Sequence, residues 1–209
     1  SFFGALAREI QRYGGTVDKY IGDAVMAVFG APVAHEDDAE RAISAAIAMQ
    51  ASMGQLNEDL QRRYGQRLAL RIGINTGPMV VGDMGSRERF NYTVLGDSVN
   101  LGSRLEGANK LYGGRVLVSA ATVAGAAGAI EAREIDRVVL LGQTQPQALF
   151  EIMGRKGELT PAQVELRTRF SEGLAAYRAR RWDEALRAFA AALESVPNDG
   201  PSMIFIKRI

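Results

Sequence analysis

The sequence predicts an α+β sandwich, a mostly antiparallel sheet with covering helices, followed by a C-terminal α-helical hairpin. Three observations carry this reading. Helical and alternating stretches succeed one another as helix, hairpin, helix, hairpin, helix, strand, helix, hairpin, an order that suits helices laid over an antiparallel sheet. No Gly-x-Gly-x-x-Gly opens a helix, which argues against a doubly wound dinucleotide fold. Beyond a polar, turn-forming stretch, Gly154–Pro161, the pattern becomes helical throughout. The expected division is a domain over residues 1–154 and a helical tail over 155–209.

The elements follow in order. Leu6 and Ile10, with Phe2, Phe3 and Tyr13, make a short amphipathic helix that stops at Gly14-Gly15. Thr16–Phe29 is rich in strand formers around Gly22-Asp23 and reads as a β-hairpin, broken by Gly30-Ala31-Pro32. Glu36, Asp37 and Asp38 open a long helix, as the helix dipole favours. His35, just before it, reads as a solvated cap position. The helix carries apolar residues from Ala39 to Leu60 at helical period. Leu68–Asn75 alternates and reads as a strand; Met79–Val81 is a short extended piece between glycine turns; Arg89–Leu95 returns as a strand. After a further helix come a strand at Val116–Val118 and a short helix with Ser119 as its N-cap. Val138–Leu141 and Ala148–Ile152 form the last expected strand pair. Helices are expected at Val164–Arg178 and Trp182–Ser195.

Composition excludes several classes of function. The 25 Lys and Arg against 24 Asp and Glu leave no charge bias toward nucleic acid or an anionic membrane. With no cysteine, disulfides, thiolate catalysis and thiolate-bound metals are excluded. With His35 as the single histidine, any metal would be held by oxygen, which favours Mg²⁺, Mn²⁺ or Ca²⁺. No apolar run approaches the roughly 20 residues that span a bilayer. The chain opens at Ser1 within an apparent helix and reads as a piece of a longer polypeptide. The expectation is a cytoplasmic domain whose parent is compatible with membrane anchoring upstream.

Tyr92–Glu106, YTVLGDSVNLGSRLE, is the most informative stretch. A β-rich run meets Gly96, Asp97 and Ser98 stand at the expected N-cap, and an apolar pattern follows at Val99, Leu101, Leu105, Ala108 and Leu111. Asn100 and Arg104 are four residues apart and share one helix face. An amide and a guanidinium near a helix N-terminus suit a phosphate ester.

This stretch resembles the signature of the class III nucleotidyl cyclases, the adenylyl and guanylyl cyclases. The second matching string is Lys19-Tyr20-Ile21-Gly22-Asp23. The resemblance, over about Phe2 to Met153, implies a ferredoxin-like cyclase sandwich. It implies that Asn100 orients the ribose and that Arg104 stabilises charge on the α-phosphate. It makes Asp23 one of two aspartates that hold a pair of Mg²⁺ (or Mn²⁺) ions. Lys19 and Thr93 become the base-selecting pair: lysine donates to an acceptor such as adenine N1, whereas guanylyl cyclases carry glutamate there. The implied reaction is attack of the ribose 3′-oxygen of ATP on the α-phosphate, releasing pyrophosphate and cyclic AMP in a two-metal displacement. The implied partners are ATP and a second copy of the chain, in a two-fold homodimer with active sites at the interface.

Two departures stand out. The motif with the family's other metal aspartate, expected upstream of the first helix, is absent from this sequence. Near the end, Leu141 and Gln143 replace the two lysines of the family's Val-Lys-Gly-Lys. They lend support to an alternative, a non-catalytic cyclase homology domain for dimerisation or nucleotide sensing, against which the intact Lys19, Asp23, Thr93, Asn100 and Arg104 argue; a guanylyl cyclase is disfavoured by Lys19. In the tail, Gly173, Ala185, Phe189, Ala192 and Pro197 fall where a single tetratricopeptide repeat has them, although Ala176 stands where the motif has an aromatic. One repeat cannot bury its own face, so the tail is expected to pack on the main domain or on another protein.

Overall fold

The computed structural model describes residues 2–86, 89–140 and 144–209. Helix α1 (Phe2–Arg12) leads into the hairpin β1 (Thr16–Ile21) and β2 (Ala24–Val28), then the long helix α2 (Asp38–Tyr64). Next come β3 (Ile72–Ile74), the hairpin β4 (Val80–Ser86) and β5 (Arg89–Leu95), and helix α3 (Asp97–Tyr112). They are followed by β6 (Val116–Ser119), α4 (Ala120–Gly125), β7 (Ile130–Val138) and β8 (Gln147–Arg155). Helices α5 (Pro161–Arg178), α6 (Trp182–Ser195) and α7 (Gly200–Arg208) complete the chain. Among the described residues no helix is long and apolar enough to cross a membrane.

The α+β sandwich is present. A four-stranded sheet runs in the order β3-β6-β8-β7, antiparallel except for the β3–β6 pair, and two antiparallel hairpins stand beside it. Side chains along a strand alternate between faces, and β6 shows what that does. Val116 and Val118 pack with Leu6, Ile10, Ala45, Ala46 and Met49 of α1 and α2. Leu117 turns the other way, into a core with Leu105 and Tyr112 of α3 and Phe170, Phe189 and Phe205 of the tail. The sheet is thus covered on both faces, and the tail rests on the main domain.

Four differences from the sequence reading have physical causes. The strand expected over Leu68–Asn75 shrinks to Ile72–Ile74, because side chains of α2 take up the earlier backbone groups. Asn57 bonds both Leu68 N and Leu68 O, at 2.8 and 2.9 Å, and Gln50 bonds Leu70 O at 2.8 Å. The extended piece at Met79–Val81 becomes a seven-residue strand through Gly82 and Gly85, since pairing with β5 outweighs glycine's low strand propensity. The strand expected at Val138–Leu141 lies earlier, at Ile130–Val138. Its charged residues Glu131, Arg133, Glu134, Asp136 and Arg137 disguise a sequence that is largely buried. The tail has a third helix, α7, signalled by Asp199 before Gly200-Pro201; its carboxylate accepts from Ser202 N at 3.0 Å.

Those β7 charges fasten the tail. Arg133, with 4% of its side chain exposed, pairs with Glu151 of β8 at 2.6 Å and with Asp199, the N-cap of α7. Its guanidinium lies 4.7 Å from the Phe170 ring centroid. Arg167 pairs with Glu131, Arg178 with Glu134 at 2.7 Å, and Arg208 with Asp136 at 2.6 Å. Tyr112 at the end of α3 donates to the same Asp136 oxygen at 2.5 Å. Burial, then that hydrogen bond, pushes the Tyr112 phenol up to about 12.

Candidate active site

Helix α3 carries Asn100 and Arg104, and three polar contacts fix it against β3. Asn75 donates to Ser98 O at 2.9 Å, Asn109 donates to Ile72 O at 3.0 Å, and Arg71 pairs with Glu106 at 3.2 Å. Gly73 makes the close approach possible. A Cβ there would stand 2.2 Å from Glu106 N and 2.3 Å from Gly102 O. The helix start differs from expectation: Gly96 is the N-cap residue, no side chain caps it, and Asp97 sits inside the first turn, where its charge meets the helix dipole. Leu111, expected on the apolar face, is exposed; Tyr112 fills the core instead.

Asn100 is exposed, and Arg104 is half-buried. Its Nη1 is buried without a hydrogen-bond partner among the described residues. A buried donor with nothing to donate to costs about 1–3 kcal/mol, and more for a charged group. An anion seated on this face would remove that cost.

Lys19 and Thr93 come together through a residue that sequence reasoning missed. Thr93, on β5, is buried and donates its hydroxyl to Asp18 Oδ2 at 3.0 Å. Lys19 Nζ stands 3.2 Å from the same oxygen. In a regular strand Asp18 and Lys19 would point to opposite faces. Here β1 carries a bulge between Val17 and Lys19, so Asp18 has no partner in β2 and its side chain is re-aimed. Neighbouring opposite charges in a strand gave no hint of this, because the bulge is a property of the β1–β2 register.

Asp23 stands exposed at the tip of the β1–β2 hairpin, after Gly22, with no ion pair among the described residues. Among the described residues no three His, Cys, Asp or Glu side chains group where they could hold a metal. Asp23 offers a single carboxylate, which by itself does not hold two ions. Leu141 and Gln143, in place of the expected phosphate-gripping lysines, lie outside the described residues. His35 is exposed, as expected, but the N-cap of α2 is Asp37, and His35 Nδ1 lies 3.4 Å from Asp38.

Comparison with known proteins agrees with the fold. Residues 2–153 match the family described as Adenylate and Guanylate cyclase catalytic domain. Over 205 residues the chain is 32% identical to the terminal-differentiation specific adenylate cyclase of Dictyostelium discoideum, covering 93% of this chain and 9% of that protein. Over 154 residues it is 36% identical to adenylate cyclase 1 of Rhizobium meliloti, covering 73% of this chain and 23% of that one. The chain therefore spans less than a quarter of the length of either relative. The crystal structure of the adenylyl cyclase CyaB from P. aeruginosa superposes with a TM-score of 0.69 at 31% identity, over 76% of this chain and 82% of that chain. The guanylyl cyclase Cya2 gives 0.68 at 33% identity, over 76% and 80%. Structural neighbours of both specificities are thus equally near.

Proposed function

Because the chain belongs to the adenylate and guanylate cyclase catalytic domain family, we propose that it is the catalytic domain of an adenylyl cyclase, converting ATP to 3′,5′-cyclic AMP and pyrophosphate. The observation that carries the reading is the unpartnered, buried Nη1 of Arg104 on the helix face it shares with Asn100. A preorganised cation costs no reorganisation when charge develops on the α-phosphate, and one such donor is typically worth about 10²–10³ in rate. Asn100, exposed one turn earlier on the same helix, is proposed to orient the ribose. Asp23, free of ion pairs at the hairpin tip, is proposed as one metal ligand.

Since neighbours of both base specificities are equally similar, the choice of ATP rests on Lys19 and Thr93. Lysine only donates, which fits adenine N1 and not the N1–H of guanine. The working unit is proposed to be a two-fold homodimer that shares its sites. Tyr20, Ile21, Val80, Val81, Tyr92 and Leu95 on the two hairpins are exposed, and outward-facing apolar residues of this kind support a second copy as the cover. The full-length protein, incubated with ATP or GTP and Mn²⁺, is expected to yield cyclic AMP in preference to cyclic GMP. No cyclic AMP would overturn the reading in favour of a non-catalytic homology domain.

A further inference from the structure

We propose that Asp18 sets the base preference of the site by fixing the direction of the Thr93 hydroxyl. The inference rests on the adenylyl cyclase reading and deepens it. An ionised carboxylate only accepts hydrogen bonds, so in the Thr93–Asp18 contact at 3.0 Å the hydroxyl is the donor. A hydroxyl has one hydrogen. With that hydrogen committed, Thr93 Oγ1 can only accept from anything else that approaches it. Toward a purine it therefore fits an amino group, the 6-amino group of adenine, and opposes the carbonyl oxygen of guanine, where lone pairs would face lone pairs.

Three features make this arrangement a built one. The Asp18 side chain is only 5% exposed, so water competes little for its oxygen. The same Oδ2 stands 3.2 Å from Lys19 Nζ, so one atom orients both members of the base-selecting pair. The bulge at Asp18 interrupts the β1–β2 ladder, and it brings a carboxylate to the β5 side that regular pleating would have turned away. Asp18 need not touch the nucleotide; it is a positioning residue that acts through Thr93 and Lys19.

The test compares kcat/KM for ATP and for GTP in the full-length protein, together with the ratio of ATP to GTP dissociation constants from competition binding. Asp18→Asn keeps the shape but offers an amide that can donate to Thr93, freeing the hydroxyl to turn. The ATP over GTP ratio should fall about tenfold or more, equivalent to about 1.4 kcal/mol, in both readouts. Thr93→Val should lower the ratio similarly and Thr93→Ser should retain it. Adding Asp18→Asn to Thr93→Val should lower the ratio by less than Asp18→Asn does alone, since the hydroxyl is already gone and only the Lys19 contact remains to be lost. A purely structural Asp18 would lower both nucleotides' rates together and leave the ratio within about twofold, which overturns the proposal. Retention of the ratio in both Thr93→Val and Thr93→Ser overturns it too, whether or not the Asp18 variant folds. A wild-type protein that makes neither cyclic nucleotide defeats the cyclase reading itself, an outcome distinct from an active enzyme with an unmoved ratio.

Discussion

The two sides of this molecule use their charged groups in opposite ways. Where β7 meets the tail, Glu131, Arg133, Glu134 and Asp136 each have a partner on α5, on α7 or at the N-cap of α7. Beneath them Phe170, Phe189 and Phe205 are fully buried and in mutual ring contact. Among the described residues of the two hairpins and α3, Asp23 has no ion pair, Asn100 is exposed, and Arg104 keeps a buried nitrogen unpaired. The first region is internally complete and adds to stability. The second leaves polar groups unanswered among the described residues. An arginine therefore says little by itself; whether its donors are already answered separates a structural role from a chemical one.

The largest expected effect lies on the complete side. Arg133→Ala leaves the Asp199 and Glu151 carboxylates facing each other without their cation, which should cost about 3–5 kcal/mol. Urea denaturation at neutral pH measures it; a loss under about 1 kcal/mol would break the contrast between the two regions. On the incomplete side, Lys19→Glu with Thr93→Cys should move nucleotide preference from ATP toward GTP by about 10- to 100-fold, or ~1–3 kcal/mol, in competitive turnover assays. Unchanged ATP selectivity would defeat the base-selection argument. Gly200→Ala tests the seam where α7 meets the end of α3. The added Cβ would stand 2.0 Å from Tyr112 O, and relieving it should cost about 1–3 kcal/mol in thermal or urea unfolding.

The smallest effect is a pH dependence. The Tyr112 phenol is raised from 10.0 to about 12 in the folded protein. Between those values the folded state holds a proton that the unfolded state has released, so stability falls as pH rises. The contribution is fully present below pH 10 and lost as pH climbs through about 12. Tyr112→Phe should cost about 1 kcal/mol at neutral pH and should flatten the stability slope in this alkaline window. Stability curves of equal slope for the two proteins would show that Tyr112 does not titrate as described.

Much of the architecture was legible in the sequence because its signals are local. The Gly22-Asp23 turn, the acidic start of α2 and Ser119 as a cap all act within a few residues of themselves, and each lies where expected. What escaped depended on distant partners. The charges of strand β7 carry no local strand signal, because their partners lie 36 to 72 residues later, on α5, on α7 or at its N-cap. Leu68–Leu70 alternated like a strand but had its backbone groups claimed by Asn57 and Gln50. At the site, Lys19, Asp23, Thr93, Asn100 and Arg104 were named from motifs. Asp18 was invisible, since a bulge depends on the register between two strands and not on the residue alone.

The central claim is that Arg104 is held unpaired for chemistry, not for the fold. The most direct measurement is the rate of cyclic AMP formation by full-length Arg104→Ala at saturating ATP, with its melting temperature read on the same sample. The account predicts a rate lower by about 10²–10³ and a melting temperature equal to or above the parent's, because an unanswered buried donor has been removed. A rate close to the parent's, or a loss of stability like that of Arg133→Ala, would contradict it.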